Sequence, residues 1–122
     1  MNTLEVGKKL VEMCSKGQND QAIEQLYSKD VVSVEAQAMP NMPAEMRGMQ
    51  AVLGKGKWWS ENHTIHSASC QGPFPNGDRF ACLFKFDVTN KPSNQRFTME
   101  EVALYTVKDG KIVREEFFYV GG

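Results

Sequence analysis

The sequence has few of the residues from which metal centres and disulfide frameworks are built. Its 122 residues include three cysteines, Cys14, Cys70 and Cys82, and two histidines, His63 and His66. The cysteines are widely spaced without a Cys-x-x-Cys pair, and a strand would place the two histidines on opposite faces. These patterns predict neither disulfides nor a metal site, and each cysteine is expected to be a small buried residue in a reduced compartment.

The sequence also has no excess of positive charge and no long apolar run. Lys and Arg total 14 against 15 for Asp and Glu, a net charge of −1, and no basic cluster is present that would bind a phosphate backbone. No apolar stretch approaches the roughly 20 residues that a membrane span needs, and the N-terminus lacks the order of a signal peptide. We therefore expect a cytoplasmic protein that binds neither nucleic acid nor membranes.

The composition is otherwise that of a compact globular chain. Hydrophobic residues make up 41% and charged residues 24%, so neither disorder nor a fibrous repeat is indicated. A chain of this length buries roughly two-thirds of its unfolded surface. Since no repeat or linker divides it, we expect residues 1–122 to form one domain.

The N-terminal half contains three segments with helical spacing and one strand. The first segment, TLEVGKKLVEMCSKG, has Thr3 as a candidate cap, and the second, QAIEQLYS, can be capped by Asn19 or Asp20. A strand, VVSVEA, and a proline-containing loop come next. The stretch MQAVLGKGKWWSEN is predicted as a third helix, although Gly54 and Gly56 each cost about 1 kcal/mol relative to alanine.

From His63 onward, strands alternate with turns. Asn76-Gly77 and Asp109-Gly110 are hairpin dipeptides, because both central residues of a type I′ turn take positive φ. The C-terminal half is therefore expected to be an antiparallel meander. Helices followed by strands predict an α+β domain, in which the helices pack on one face of a curved sheet.

Three stretches in this order resemble a known family. QAIEQLYSKDVVSVEA, RGMQAVLGKGKWW and MEEVALYTVKDGKIVREEFFY are similar to segments of the SnoaL-like branch of the NTF2-like superfamily, and the resemblance covers nearly the whole chain. It implies a cone-shaped α+β fold, in which a curved antiparallel sheet and the N-terminal helices enclose a pocket. Members include polyketide cyclases, ketosteroid isomerases, dehydratases and epoxide hydrolases, together with binding proteins that do not catalyse, so the fold alone does not fix the function.

The resemblance also implies roles for two carboxylates. Glu35 falls where the isomerases have their base, at the end of the first strand. Glu101 falls where they have a protonated carboxylic acid that donates a hydrogen bond to the developing oxyanion. Leu10 falls where they have a tyrosine in the first helix, and a leucine cannot donate, so the chain departs there from the pattern of a steroid isomerase. The family's cyclases and isomerases generally use no metal or organic cofactor.

Strand alternation decides which other side chains face the pocket. One carboxylate of each adjacent pair, Glu100-Glu101 and Glu115-Glu116, should face inward, and the register determines which one. The resemblance points the following residues into the pocket: Ser33, Glu35, His66, Leu83, Lys85, Asp87, Glu101, Tyr105, Glu115, Phe117 and Tyr119. Trp58 at the pocket mouth would suit a flat ligand, with helix packing as the alternative.

This orientation places an apolar strand face on the outside. The residues concerned are Phe80, Cys82, Phe84, Phe86 and Val88 in RFACLFKFDV. They form the more apolar face of the strand, and the alternative is that they belong to the core, as such a face does by default. So large an apolar patch is seldom left in water. We therefore expect a homodimer that packs sheet against sheet, as SnoaL-like proteins often do.

The resulting functional prediction is a protein that binds a small, mainly apolar organic molecule in the cone. As an enzyme it would catalyse isomerisation, aldol cyclisation or dehydration without a cofactor, with Glu35 as base and Glu101, Tyr105 or Tyr119 as hydrogen-bond donor. The alternatives are a ligand-binding protein without catalysis and an accessory dimeric domain with a filled cone. For Glu35 itself, the alternative is a glutamate that points to solvent.

Overall fold

The α+β class is confirmed by the computed structural model, which describes residues 1–39 and 41–120. Within these ranges lie three helices and six strands. In chain order they are α1 (Thr3–Ser15), α2 (Asn19–Leu26), β1 (Tyr27–Val34), β2 (Glu45–Arg47), α3 (Met49–Asn62), β3 (His63–Asn76), β4 (Arg79–Asn90), β5 (Gln95–Lys108) and β6 (Lys111–Phe118). No described helix is long and apolar enough to cross a membrane.

The cap of the first helix lies one residue earlier than expected. Asn2, not Thr3, is the cap: its side chain accepts a hydrogen bond from the backbone N–H of Glu5 at 2.9 Å, and the Glu5 carboxylate accepts from the backbone N–H of Asn2 at 3.0 Å. This reciprocal arrangement is a capping box. Likewise, Asn19 is the first residue of α2 and not its cap.

The strands form one sheet in the order β2-β1-β6-β5-β4-β3, with β1 parallel to β6 and all other neighbours antiparallel. The predicted meander is therefore confirmed for β3 to β6. Asp109 and Gly110 both take positive φ, as a type I′ turn requires. At the other hairpin Gly77 alone takes positive φ, and Asn76 ends strand β3.

The core lies between the helices and one face of the sheet. Helix α1 packs against β3 and β4, and α3 packs against β1. Val6 and Leu10 of α1 are fully buried, as is Phe80 of β4, whose ring stacks on that of Tyr105 at 4.9 Å between centroids. The helices therefore cover the sheet face on which the inward side chains of β4 and β5 lie.

The orientation predicted for β4 is wrong. Directly opposed residues on neighbouring antiparallel strands share a face, and Phe84 opposes Glu101 while Phe80 opposes Tyr105. Since Glu101 and Tyr105 face the interior, both phenylalanines must do so too. Leu83 consequently belongs to the outer face.

The charged residues of β4 make their contacts on that outer face. Lys85 is exposed and pairs with Glu100 at 3.6 Å, and Asp87 pairs with Arg96 at 2.9 Å. His66 is exposed on β3 and hydrogen-bonds to the Thr89 hydroxyl. The partners of all three side chains therefore lie on the sheet face opposite the helices. The prediction that His66, Lys85 and Asp87 face the pocket is wrong.

With β4 in this orientation, no exposed apolar face of that strand requires a dimer. The apolar face of Phe80, Cys82, Phe84, Phe86 and Val88 is covered within the chain by the helices and needs no second copy. A smaller apolar row crosses the outer face, where Val102 lies opposite both Leu83 and Phe118. The homodimer stays a prediction that now concerns this row.

Candidate functional site

A cavity of about 450 Å³ opens between the helices and the inner face of the sheet. Most of its wall is apolar and includes Leu10, Ile23, Val52, Phe84, Phe86 and Met99. Its charged lining residues include Glu35, Lys55, Glu101 and Glu115. An apolar cavity of this size with a few converging polar groups is typical of a site for a small organic molecule.

Glu35 is held at the end of β1 by two donors. Its Oε2 lies 2.7 Å from the Lys55 ammonium, and its Oε1 accepts a hydrogen bond from the Tyr119 hydroxyl at 2.9 Å. The side chains of Glu35 and Lys55 are only 17% and 15% exposed. Ser33 and Glu35 share the inward face because they are two residues apart on an extended chain. The predicted alternative, a glutamate pointing to solvent, is therefore wrong.

Lys55 connects Glu35 to a second, deeper carboxylate. Its ammonium also donates to the Ser33 hydroxyl at 2.5 Å and lies 5.1 Å from the centre of the Phe117 ring. The Ser33 hydroxyl in turn donates to Glu115 at 2.6 Å. The Lys55 ammonium therefore contacts Glu35 directly and is linked to Glu115 through the hydroxyl of Ser33.

Glu115 is the most deeply buried carboxylate of the site, with 3% of its surface exposed. It accepts hydrogen bonds from Ser33 and from the Tyr27 hydroxyl. Burial raises the pKa of Glu115, while these hydrogen bonds and the charge of Lys55 oppose the rise. Burial and the neighbouring Glu115 likewise raise the pKa of Tyr27, which keeps its hydroxyl protonated as a donor.

Glu101 differs from the other two carboxyls because no described residue hydrogen-bonds to it or forms an ion pair with it. It projects from β5 into the cavity beside Phe84. Burial, and next the negative charge of Glu35, raise the pKa of Glu101 to about 7, although Lys55 partly offsets them. A carboxyl of this kind exchanges protons near neutral pH, which is what acid-base catalysis requires.

The structure brings together most of the residues predicted for the site. Those that line the cavity are Glu35, Trp58, Glu101, Tyr105, Glu115 and Phe117. Tyr119 joins them through its hydrogen bond to Glu35. His66, Lys85 and Asp87 are absent from the described lining, because their strands turn these side chains outward.

Both tryptophans line the cavity, and both contact His63. Trp59 stacks on His63 at 4.4 Å between ring centroids, which is a packing contact. Trp58 is 38% exposed and lines the cavity, so its ring is available at the opening.

Two functional residues, Lys55 and Tyr27, were missed by sequence reasoning. Lys55 follows the buried Val52 by three residues and precedes Trp59 by four, so helical periodicity could have placed it on the inner face of α3. Tyr27 opens strand β1, and nothing in its local pattern indicates that its hydroxyl reaches β6. Within residues 1–39 and 41–120, no group of three or more Cys, His, Asp or Glu side chains is arranged to hold a metal ion.

Comparison with solved structures shows the same architecture. A candidate SnoaL-like polyketide cyclase from Mesorhizobium loti is 45% identical, with a TM-score of 0.92 over 98% of this chain and 100% of that one. An NTF2-like protein from Burkholderia pseudomallei is 15% identical, with a TM-score of 0.78 over 98% of this chain and 92% of that one.

A third protein of this fold was solved with a small organic molecule. This protein from Catenulispora acidiphila has a ketosteroid isomerase-like fold and is in complex with trimethylamine. It is 17% identical, with a TM-score of 0.73 over 97% of this chain and 87% of that one. No curated protein sequence matches the chain. The SnoaL-like domain model matches residues 1–119, and the chain therefore belongs to the SnoaL-like family.

Proposed function

We propose that the cavity binds a small, mainly apolar carbonyl compound and catalyses acid-base chemistry on it without a cofactor. Glu35 is the base and Glu101 is the acid. The observation that carries the proposal is that these two carboxyls line one apolar cavity in opposite environments. Glu35 is paired with Lys55, whereas burial and repulsion raise the pKa of Glu101 to about 7. A carboxylate held by a cation suits the role of proton acceptor, and a buried neutral carboxyl suits that of hydrogen-bond donor.

Glu35 retains the capacity to accept a proton. Each carboxylate oxygen has two lone pairs, and Lys55 and Tyr119 each occupy one. In the proposed step, Glu35 takes a proton from the carbon beside the carbonyl, and the electron pair of that C–H bond moves towards the carbonyl oxygen. The neutral Glu101 stabilises the resulting enolate by donating a hydrogen bond, and Tyr105, whose pKa burial raises, is a second donor.

The fate of the enolate decides which reaction follows. Return of the proton at another carbon is an isomerisation, and attack of the enolate carbon on a second carbonyl is an aldol cyclisation. Loss of a β-hydroxyl, which leaves as water after protonation, is a dehydration. Each outcome uses the same two carboxyls and requires no oxidant, reductant or metal.

The proposal is tested by proton exchange on a simple ketone. The methyl protons of 2-acetylnaphthalene, a flat apolar ketone, are replaced by deuterium when a base forms the enolate in D₂O, and NMR follows the loss of signal. We expect the protein to accelerate this exchange, and Glu35→Gln to lower the rate by about 10² or more. The matched control is Glu100→Gln, because Glu100 is exposed on the outer face. Equal exchange rates for Glu35→Gln and Glu100→Gln would refute the role of Glu35.

A ligand-binding protein without catalysis is the second candidate. Leu10 lines the cavity and cannot donate a hydrogen bond, and both oxygens of Glu35 already accept one. The trimethylamine complex of a protein with a similar fold is consistent with this reading as well. Binding of 2-acetylnaphthalene without accelerated exchange would support it, and absence of any binding would support an accessory domain.

A further inference from the structure

The titratable groups that line the cavity are mostly acidic. Among the described lining residues are four carboxyls, Asp20 on α2, Glu35, Glu101 and Glu115, and one cationic residue, Lys55. Among the described lining residues there is neither an arginine nor a histidine. Asp20 is exposed, but Glu35, Lys55, Glu101 and Glu115 are partly or fully buried, and charge at such positions is screened less than at a protein surface.

The one ammonium is already committed to groups of the protein. Lys55 lies 2.7 Å from Glu35 and 2.5 Å from Ser33, and its side chain is 15% exposed. An anionic ligand would either share this cation with Glu35, whose negative charge repels it, or displace Glu35 and leave that carboxylate buried without its partner. Separating a buried pair in this way is costly, because the remaining charge loses its compensation.

For a cationic ligand, the cavity offers groups that attract its charge. The carboxyl of Glu101 makes no hydrogen bond or ion pair with any described residue and borders the cavity. The rings of Trp58, Trp59, Phe86 and Phe117 also line the wall. The faces of such rings attract organic cations. The free carboxyl and the rings therefore offer a cation two kinds of favourable contact in one space.

We infer that the cavity selects its ligand by the sign of the charge: it accepts neutral and cationic apolar molecules and excludes carboxylates and other anions. The inference rests on the proposed function, because it names the class of ligand for the same cavity. A neutral carbonyl compound is bound with Glu101 protonated as a donor. A cation is bound with Glu101 ionised as its counter-charge.

Charge selection should depend on pH through Glu101. The groups that face it are Glu35 after β1, Lys55 on α3, Glu115 on β6 and Tyr119 at the C-terminal end, with Tyr105 on its own strand. Burial raises the pKa of both tyrosines, so they stay neutral. Because the pKa of Glu101 is about 7, this group is mostly neutral at pH 6 and mostly ionised at pH 8.

Three probes of one shape test the inference. They are 2-acetylnaphthalene, which is neutral, 2-naphthoate, in which an anionic oxygen replaces the methyl group, and 2-naphthylmethylammonium, which is a cation. Affinities are measured by isothermal titration calorimetry at pH 6 and pH 8. At pH 8 we expect 2-naphthoate to bind about tenfold or more weaker than either of the others. From pH 6 to pH 8 the ammonium probe should gain towards tenfold, because it pairs with ionised Glu101.

The variant Glu101→Gln shows whether a change of affinity with pH comes from the titration of Glu101 or from that of the probes themselves. It should abolish the pH-dependent gain of the ammonium probe, whereas Glu100→Gln should keep it. Should Glu101→Gln fail to fold, the ranking of the three probes on the natural protein decides. Equal affinity for all three, or tightest binding of 2-naphthoate, would overturn the inference alone. If the neutral probe did not bind either, the ligand-binding proposal would fall with it.

Discussion

The ammonium of Lys55 lies 2.7 Å from a carboxylate oxygen of Glu35, across the gap between helix α3 and the end of strand β1. Both side chains are largely buried, so the contact differs from an exposed ion pair, which contributes little. The same ammonium reaches Ser33, which donates to Glu115. Lys55 therefore pairs with Glu35, and its charge lowers the pKa of Glu101 and of Glu115.

Replacing Lys55 by methionine should have two effects. Loss of the buried partner should lower the free energy of unfolding by about 3–5 kcal/mol, because Glu35 is left without its counter-charge. It should also raise the pKa of Glu101 above about 7, since Lys55 lowers that pKa. Urea unfolding measures the first effect, and carbon-13 NMR of the Glu101 carboxyl measures the second.

The control for this variant is Lys57→Met on the same helix. The Lys57 side chain is 77% exposed, and among the described residues its one ion pair is with Glu61, at 3.9 Å. Its replacement should change stability by less than about 0.5 kcal/mol and leave the titration of Glu101 in place. If Lys55→Met left Glu101 titrating as before, the proposed coupling between the two groups would be disproved.

Glu101 should make stability depend on pH. Its pKa rises from 4.5 to about 7 on folding, so the folded protein binds the proton more tightly than the unfolded chain. The stability that this group contributes is fully present below its unfolded pKa and is lost as pH rises through about 7. The loss corresponds to about 3 kcal/mol.

Urea unfolding of the natural protein and of Glu101→Gln at pH 5, 6, 7 and 8 isolates this contribution. The difference in unfolding free energy between the two should shift by about 3 kcal/mol at most over this window, with Glu101→Gln gaining relative stability at the alkaline end. Glu100→Gln should instead follow the natural protein. A constant difference between Glu101→Gln and the natural protein would show that Glu101 is not buried as described.

The orientation of β4 predicts the effect of two neighbouring substitutions. Phe84 is 6% exposed and faces the core, so Phe84→Ala should cost about 3–5 kcal/mol of unfolding free energy. Lys85 is exposed on the outer face, so Lys85→Ala should cost less than about 0.5 kcal/mol. The reverse ranking in denaturant unfolding would restore the orientation first expected from the sequence.

The order of elements was predictable because local patterns determine it. Apolar residues at helical spacing predicted α1 and α2, and the Asn76-Gly77 and Asp109-Gly110 dipeptides predicted the hairpins. The inward faces of β1, β5 and β6 followed from the family resemblance, which placed Glu35, Glu101 and Glu115 inside, together with strand alternation.

The pattern of β4 alone indicates the correct face, because its more apolar side, which includes Phe84, would by default be assigned to the core. The registration taken from the family resemblance placed that side outside and was wrong. The pairing of Phe84 with Glu101 shows the actual orientation. Lys55 was missed because its contact with Glu35 spans 20 residues and depends on how α3 crosses β1.

The outer face should mediate a homodimer. Leu83, Val102 and Phe118 form a continuous row across three strands, and the last two are 40% and 50% exposed. The Lys85–Glu100 ion pair lies beside the row. In a dimer with twofold symmetry, the lysine of one copy can face the glutamate of the other. Native mass spectrometry should report a dimer, and Val102→Glu should convert it to a folded monomer. A monomeric natural protein would contradict this prediction.

The most direct test of the central claim is the pH dependence of deuterium exchange into 2-acetylnaphthalene. Glu35 must accept the proton while neutral Glu101 donates to the enolate. We therefore predict that the protein-dependent rate exceeds that of Glu35→Gln by about 10² at pH 6 and falls as pH rises through about 7. A rate that equals that of Glu35→Gln, or that keeps rising with pH beyond 8, would contradict the account.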